Sequence, residues 1–353
     1  MKKKAFLFLA ALALTSCSGT SSSKIDRTTN KSAELNASFK VLQLTDLHFT
    51  YSTDVKKVSK FVTASVAYAN PDLIVVTGDS LYNTSKGVVN SLFNMLESWK
   101  IPYYFLFGNH EFQGSYSESW FMSKLYSTEY CYNTKKGING ESGYSDDVFT
   151  LTKNGKPFFQ IYTFDTHNSI NIDGVTYYDT IKDDQIDFYE REAKKAKEQN
   201  AGINVPSLGF LHIPQWEIVD AYISNKNGIL GELHESGYSK IPELTEKNGG
   251  NPLPFYVSYK KTSFFEKAKN LGMKGMFYGH DHANDWVGEY QGVAIGYGVK
   301  ATRELQYGKT NAGYDMIGGS LYTIKSDATY AIKHFYIDYD NLASVNAKEV
   351  NRI

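Results

Sequence analysis

Between residues 39 and 107 the apolar positions form three short, nearly continuous runs, separated by two stretches with helical spacing. Phe39 to Leu44, Leu73 to Val76 and Pro102 to Phe107 read as buried strands, because short apolar runs suit strands covered on both faces. Between them, Val55 to Tyr68 and Val88 to Trp99 repeat apolar residues every three or four positions, as a helix with one buried face does. The first helix stops before Asn70-Pro71, because a residue preceding proline is driven out of helical geometry. Further strands are expected at Phe158 to Phe164, Ser207 to His212, Met273 to Tyr278, Gly292 to Tyr297, Ser320 to Ile324 and Tyr330 to Ile337. Helices are expected at Asp183 to Gln199 and Ser263 to Leu271. Asn168 to Ile181 and Asn225 to Tyr256 read as long loops, a length that in a compact domain points to function or mobility.

The head of the chain follows a different pattern. Met1-Lys2-Lys3-Lys4 is basic, and Ala5 to Leu14 is an apolar run too short to span a bilayer. Leu14-Thr15-Ser16-Cys17 looks like a bacterial lipobox, which would cleave after residue 16 and lipidate Cys17; an ordinary cleaved signal with an incidental Cys is the alternative. The expectation is an exported protein, lipid-anchored in a bacterial cell envelope. With Cys17 lipidated, Cys131 has no partner in the chain, so no disulfide framework is expected. Ser18 to Asn36 is polar and reads as a tether. The resulting division is signal 1–16, tether 17–37, one α/β domain 38–340 and a C-terminal tail 341–353. Losing residues 1–16 removes three lysines and no acid, taking the formal charge from −1 to −4. A mildly acidic chain gives no sign of a nucleic-acid partner, and a monomer is expected.

The chemistry gathers at the strand ends. Asp46-Leu47-His48, Gly78-Asp79, Gly108-Asn109-His110-Glu111, His212 and Gly279-His280-Asp281-His282 each follow an apolar run. Ligands of open α/β sheets bind beyond the carboxyl ends of strands, so residues this far apart in sequence can converge. Each motif alone is weak; Asp165-Thr166-His167 shows that Asp-x-His recurs by chance. The ordered set is specific, and it takes five of the eight histidines. Oxygen and imidazole donors without cysteine suit Fe, Mn or Zn and exclude a structural zinc cluster.

This order resembles the calcineurin-like metallophosphoesterase family over roughly Phe39 to Ile337. It is most similar to the purple-acid-phosphatase-like branch, through Gly209-Phe210-Leu211-His212-Ile213-Pro214, Gly279 to Asp285, and Asp184-Gln185-Ile186 opening a helix. The resemblance implies two mixed β-sheets packed face to face with helices outside, and two divalent or trivalent transition-metal ions. Asp46, His48 and His282 would hold the first ion, Asn109, His212 and His280 the second, and Asp79 both. It further implies hydrolysis of phosphate esters, monoesters favoured, by attack of a metal-bridging hydroxide. His110 would stabilise the transition state or act as general acid, and the substrate would be a phosphorylated small molecule or an exposed phosphoester. A diesterase or nucleotide hydrolase with the same centre, and a non-catalytic surface binding lipoprotein, are the alternatives.

Five residues remain candidates for outer-sphere or substrate contact. Tyr82 stands three residues after Asp79, where purple acid phosphatases carry an iron-binding Tyr, but those enzymes lack the His of the first motif and this chain has His48. Glu111 is expected to orient the site, or to be a solvated loop carboxylate. His167 ends a strand and could line the cleft, but a structural or outer-sphere role is favoured, and Glu232 and His234 lie in the long loop that either covers the site and reads the substrate or moves freely at the surface.

Overall fold

The computed structural model describes residues 25–234, 241–251, 253–305 and 307–352, so the signal and Cys17 lie outside the described residues. The chain runs β1 (Lys31–Glu34), β2 (Ser38–Leu44), α1 (Val55–Ala69), β3 (Leu73–Thr77), α2 (Lys86–Ser98), β4 (Tyr103–Leu106), α3 (Glu118–Tyr126), β5 (Asp147–Lys153) and β6 (Lys156–Thr163). A hairpin of β7 (Ser169–Ile172) and β8 (Val175–Tyr178) precedes α4 (Asp183–Gln199), β9 (Ser207–Phe210), α5 (Glu217–Ser224), α6 (Pro242–Lys247) and α7 (Phe264–Asn270). The remainder is β10 (Met273–Tyr278), β11 (Val287–Tyr290), β12 (Val293–Tyr297), β13 (Gly318–Lys325), β14 (Tyr330–Ile337) and β15 (Ser344–Arg352).

These strands build two large mixed sheets. One has the order β15-β14-β13-β2-β3-β4 and the other β1-β5-β6-β9-β10-β12-β11. Strand alternation explains the layers, because successive side chains point to opposite faces. Val41, Leu73 and Val75 of the first sheet meet Leu208, Phe210 and Phe277 of the second in one buried core. Tyr322 binds the layers together, with ring centroids 5.1 Å from Phe210 and 4.3 Å from Phe277. The intervening residues Leu42, Leu44, Ile74 and Val76 face outward and pack under Phe61, Val62, Val89 and Leu92 of α1 and α2. On the far side, Tyr162, Met276 and Ile295 pack under Ile186, Tyr189 and Phe264 of α4 and α7. The result is a four-layer αββα sandwich. Among the described residues no helix is long and apolar enough to cross a membrane.

The helix boundaries have local causes. The Asp54 carboxylate accepts from the Lys57 amide at the start of α1, and Asn70 ends the helix in left-handed geometry (φ 44°) before Pro71. Ser85 caps α2 and Ser117 caps α3.

Several expectations need correction. The described part of the tether is folded: β1 pairs in parallel with β5, and the buried Arg27 side chain donates to the carbonyls of Tyr126, Thr128, Cys131 and Asn133. Main-chain and guanidinium hydrogen bonds do this work, so a polar composition conceals it. The tail likewise forms β15 on the edge beside β14. The 168–181 loop contains the β7–β8 hairpin, closed at Asp173-Gly174, both at positive φ. The 225–256 loop contains α6, and α3, α5, β5 and β11 were not foreseen.

Candidate metal centre

The strands β2, β3 and β4 are parallel neighbours in one sheet, and β9 and β10 are parallel neighbours in the other. Their carboxyl ends therefore open at one edge of the sandwich, and every motif of the sequence set follows one of these ends. The backbone turns sharply there. Asp46 (φ 53°), His48 (φ 47°), Asp79 (φ 48°) and His280 (φ 76°) all take left-handed geometry, which L side chains adopt rarely and at a cost of about 1–3 kcal/mol each. Gly78 (φ 83°) and Gly108 allow the close approach: a Cβ on Gly78 would lie 2.6 Å from His212 Nδ1, and one on Gly108 2.3 Å from Asp79 Oδ1.

The donors fall into two overlapping sets, Asp46, His48, Asp79 and His282 in one, and Asp79, His212 and His280 in the other. In the first set, His48 Nε2 and His282 Nε2 are 2.8 Å apart, with Asp46 Oδ1 3.3 Å from His282 Nε2 and 3.6 Å from His48 Nε2. In the second, His212 Nε2 lies 3.2 Å from both Asp79 Oδ2 and Asn109 Oδ1, and 3.3 Å from His280 Nδ1. Asp79 Oδ2 also stands 3.8 Å from His48 Nε2, so this one oxygen faces both sets.

The chemistry of these donors fits cations. Each carboxylate commits one oxygen to protein hydrogen bonds and turns the other into the cluster. Asp46 Oδ2 accepts from the Thr45 hydroxyl (2.6 Å) and the His280 amide (3.0 Å), and Asp79 Oδ1 accepts from the His110 amide (2.9 Å). Asp46 Oδ1 is buried with no hydrogen-bond partner among the described residues, a costly arrangement unless something positive sits beside it. His212 Nδ1 lies 2.9 Å from the Thr77 carbonyl and donates to it, which leaves Nε2 to face Asp79 and Asn109. Burial opposes charging of His212, yet the surrounding Asp79, Asp46 and Glu111 carboxylates push it up to about 10. Burial holds His48 down to about 4, with Lys300 adding to it, and holds His280 down to about 3, with His212 adding to it. Against the cost of burial, the neighbouring imidazoles keep the Asp46 and Asp79 carboxyls below the usual range.

The surrounding residues have distinct placements. Glu111 is fully buried and accepts from the amides of Ser80 (2.6 Å) and Gly108 (2.7 Å), tying the second motif's loop to the third; burial and the Asp79 charge raise it to about 8. The solvated reading of Glu111 is therefore excluded. His110 Nε2 lies 3.8 Å from Asp79 Oδ2, and its Nδ1 is 2.7 Å from Gln113 Oε1. Tyr82 packs its ring against His110 at 4.8 Å and against His48 at 6.1 Å. The Asp281 carboxylate is taken up by the Ala283 amide and the Asn284 side chain.

His167 is pinned to Gln185 Oε1 (3.0 Å) at the start of α4, outside both donor sets. Glu232 is drawn to Lys348 and the Asn311 amide, and the His234 amide donates to Asn284. Through these bonds the Glu232 side chain and the His234 main chain hold the loop that carries them. Sequence reasoning missed Thr45, Lys300 and Thr302. Lys300 is buried and its ammonium donates to the Asp46 carbonyl, while the Thr302 hydroxyl donates to the Leu47 carbonyl (2.8 Å). Asp79, Asn109, His110, His280 and His282 border an open cavity of about 340 Å³.

With this geometry in hand, comparison with known proteins decides the family. The profile of calcineurin-like phosphoesterases matches residues 39–284. The chain belongs to the calcineurin-like phosphoesterase family. Among its relatives, probable inactive purple acid phosphatase 29 of Arabidopsis thaliana is 26% identical over 75% of this chain and 72% of its own length. Probable inactive purple acid phosphatase 14 of the same plant is 27% identical over 73% of this chain and 69% of its own length. The phosphatase DCR2 of Saccharomyces cerevisiae is 25% identical over 70% of this chain and 44% of its own length. The Asp and His cluster lies where the family profile matches, and two metal ions are what such a cluster and family suggest.

Proposed function

We propose that the chain is a dinuclear-metal phosphoesterase that hydrolyses phosphate esters, monoesters favoured, on the outer face of a bacterial membrane. The observation that carries this reading is the pair of donor sets sharing Asp79 beside an open cavity. Asp46, His48 and His282 are assigned to one ion, Asn109, His212 and His280 to the other, and Asp79 to both. When bound, two such ions supply Lewis-acid polarisation of phosphoryl oxygens and lower the pKa of water towards ~7.

The chain's own residues do the rest. Asn109 and the imidazoles are neutral donors, so two carboxylates leave a loaded site positive and receptive to an anionic ester. His110 lines the cavity a quarter exposed, and Gln113 fixes its ring through Nδ1. Its Nε2, 3.8 Å from Asp79 Oδ2, is assigned to protonate the departing alcohol or hold a phosphoryl oxygen. The phosphatase names of the plant and yeast relatives support the monoester preference. The word inactive in the plant names describes those proteins; here the seven assigned donors all stand in place, which argues for activity.

Export and lipid anchoring rest on the basic head, the apolar run and Cys17. Mature protein should partition into detergent, and Cys17→Ser should release or block it; an unmodified N-terminus at another residue would sink the idea. The activity is tested with protein loaded with Fe, Mn or Zn against p-nitrophenyl phosphate, its bis-ester and nucleotides. Turnover of the monoester well above the bis-ester is expected, and no turnover of any ester by any loaded form would overturn the reading.

A further inference from the structure

A second cavity, of about 300 Å³, adjoins the metal centre and shares Asn109, Tyr178 and Tyr256 with the first. A group esterified to a phosphoryl held at the centre would reach into it. It is lined by the β7–β8 hairpin on one side and by Ile241, Tyr256 and Val257 on the other. Tyr178 packs nearly perpendicular to His280, with centroids 4.3 Å apart, and Tyr256 packs nearly perpendicular to Tyr178 at 5.9 Å. The two rings are thus fixed relative to the metal ligands. No hydrogen bond among the described residues engages either hydroxyl as donor or acceptor.

The lining decides the class of ligand. Tyr177, Tyr178, Tyr256, Ile241 and Val257 supply aromatic and aliphatic surface, and Asn168, Ser169 and Thr176 supply uncharged donors and acceptors. Among the described lining residues there is no lysine, arginine, aspartate or glutamate. A second phosphate or a carboxylate entering there would lose water and gain no counter-charge. A saturated polyol would offer the rings only the C–H edges of a puckered surface, whereas a flat ring stacks its whole face on tyrosine and presents heteroatoms to the amide and hydroxyls.

We propose that this cavity receives the leaving group of the ester and selects an uncharged planar heteroaromatic alcohol, so that the preferred substrate is a nucleoside carrying a single phosphate. The proposal rests on the phosphoesterase reading above. In the reaction a water oxygen bonds to phosphorus and the ester P–O bond breaks. The nucleoside leaves with a proton on its oxygen, and inorganic phosphate remains.

The test compares kcat/KM of the metal-loaded protein for AMP, ATP and glucose 6-phosphate, and follows adenosine binding to metal-free protein by NMR line broadening. AMP should exceed both other esters by about tenfold or more, and adenosine should broaden. In Tyr177→Ala and Tyr256→Ala, kcat/KM for AMP should fall roughly 10- to 100-fold further than for glucose 6-phosphate, the range that loss of one stacked ring gives. Equal rates for AMP and glucose 6-phosphate, a preference for ATP, or hydrolysis without adenosine binding would overturn the cavity assignment. Adenosine binding that is lost in both variants, with no hydrolysis of any ester, would keep the cavity and overturn the esterase reading instead.

Discussion

Asp79 and His110 divide the work at the scale of single residues. Among the described residues, Asp79 Oδ2 is the one carboxylate oxygen within 3.8 Å of imidazoles from both donor sets. Asp79→Ala should therefore weaken metal binding at both positions, and metal analysis should find well under two ions per chain at concentrations that fill the wild type. Full retention at unchanged affinity would remove Asp79 from its shared role. His110 sits beside the cluster but belongs to neither donor set, and its Nδ1 is held by Gln113. His110→Ala should keep fold and metals and lose rate by ~10²–10⁴-fold where the leaving alcohol needs a proton. An alkyl ester should suffer most and p-nitrophenyl phosphate least, since p-nitrophenolate leaves unprotonated. A flat loss across esters would move His110 to phosphoryl-oxygen stabilisation. No loss on any ester would end its catalytic assignment.

Among elements, the strand ends were legible and their supports were not. The runs at Phe39, Leu73 and Pro102 marked β2, β3 and β4 because buried parallel strands are apolar on both faces. The motifs that follow them were legible for the same reason, since polar residues stand out where such a run stops. Lys300 and Thr302 were invisible because they act on main-chain carbonyls of Asp46 and Leu47 from more than 250 residues away in sequence. The hairpin β7–β8 was hidden because its residues are mostly exposed and show no buried face. The supporting residues carry a prediction of their own. The turn through Asp46 and His48 holds two left-handed residues, and Thr302 helps to pin it. Lys300 also places positive charge behind the cluster, so its removal has two opposed effects on cation binding. Thr302→Val changes no charge and removes the hydroxyl's bond to the Leu47 carbonyl together with a longer one from the Glu304 amide (3.3 Å). It should weaken the ion assigned to Asp46, His48 and His282 by roughly 10-fold, the lower end for loss of an outer-sphere partner, and leave the other ion nearly unchanged. Titration with unaltered affinity at both positions would show that the turn holds itself.

For the whole molecule, the fold is closed at its amino end by a segment whose composition reads as a tether. Arg27 is the anchor, because its buried guanidinium donates to four main-chain carbonyls around residues 126–133. Beyond it β1 covers the edge of β5, which begins at the buried Asp147. Burial raises Asp147 to about 7, against hydrogen bonds from Thr134 and the charges of Lys31 and Arg27. Its folded value thus lies above its unfolded one, near 3.9. The charged form is disfavoured on folding, so stability from this group is full below about pH 4 and is lost as pH rises through 7. Arg27→Met would remove a charge that limits this loss and would leave four carbonyls without this donor, two of them in buried bonds (Cys131 and Asn133) and two in part-buried ones (Tyr126 and Thr128). With about 1–3 kcal/mol for a buried polar group left unpaired, and water re-entering to recover part of it, a loss on the order of 3 kcal/mol is expected. The loss should be larger at pH 8 than at pH 5, because only at the higher pH is Asp147 ionised in its depleted surroundings. Urea midpoints of the metal-free protein at the two pH values check both statements. A chain starting at Ile25 should keep the wild-type midpoint, and one starting at Ser38 should lose at least as much as Arg27→Met. Equal midpoints for the chains starting at Ile25 and Ser38 would return residues 25–37 to the role of a tether.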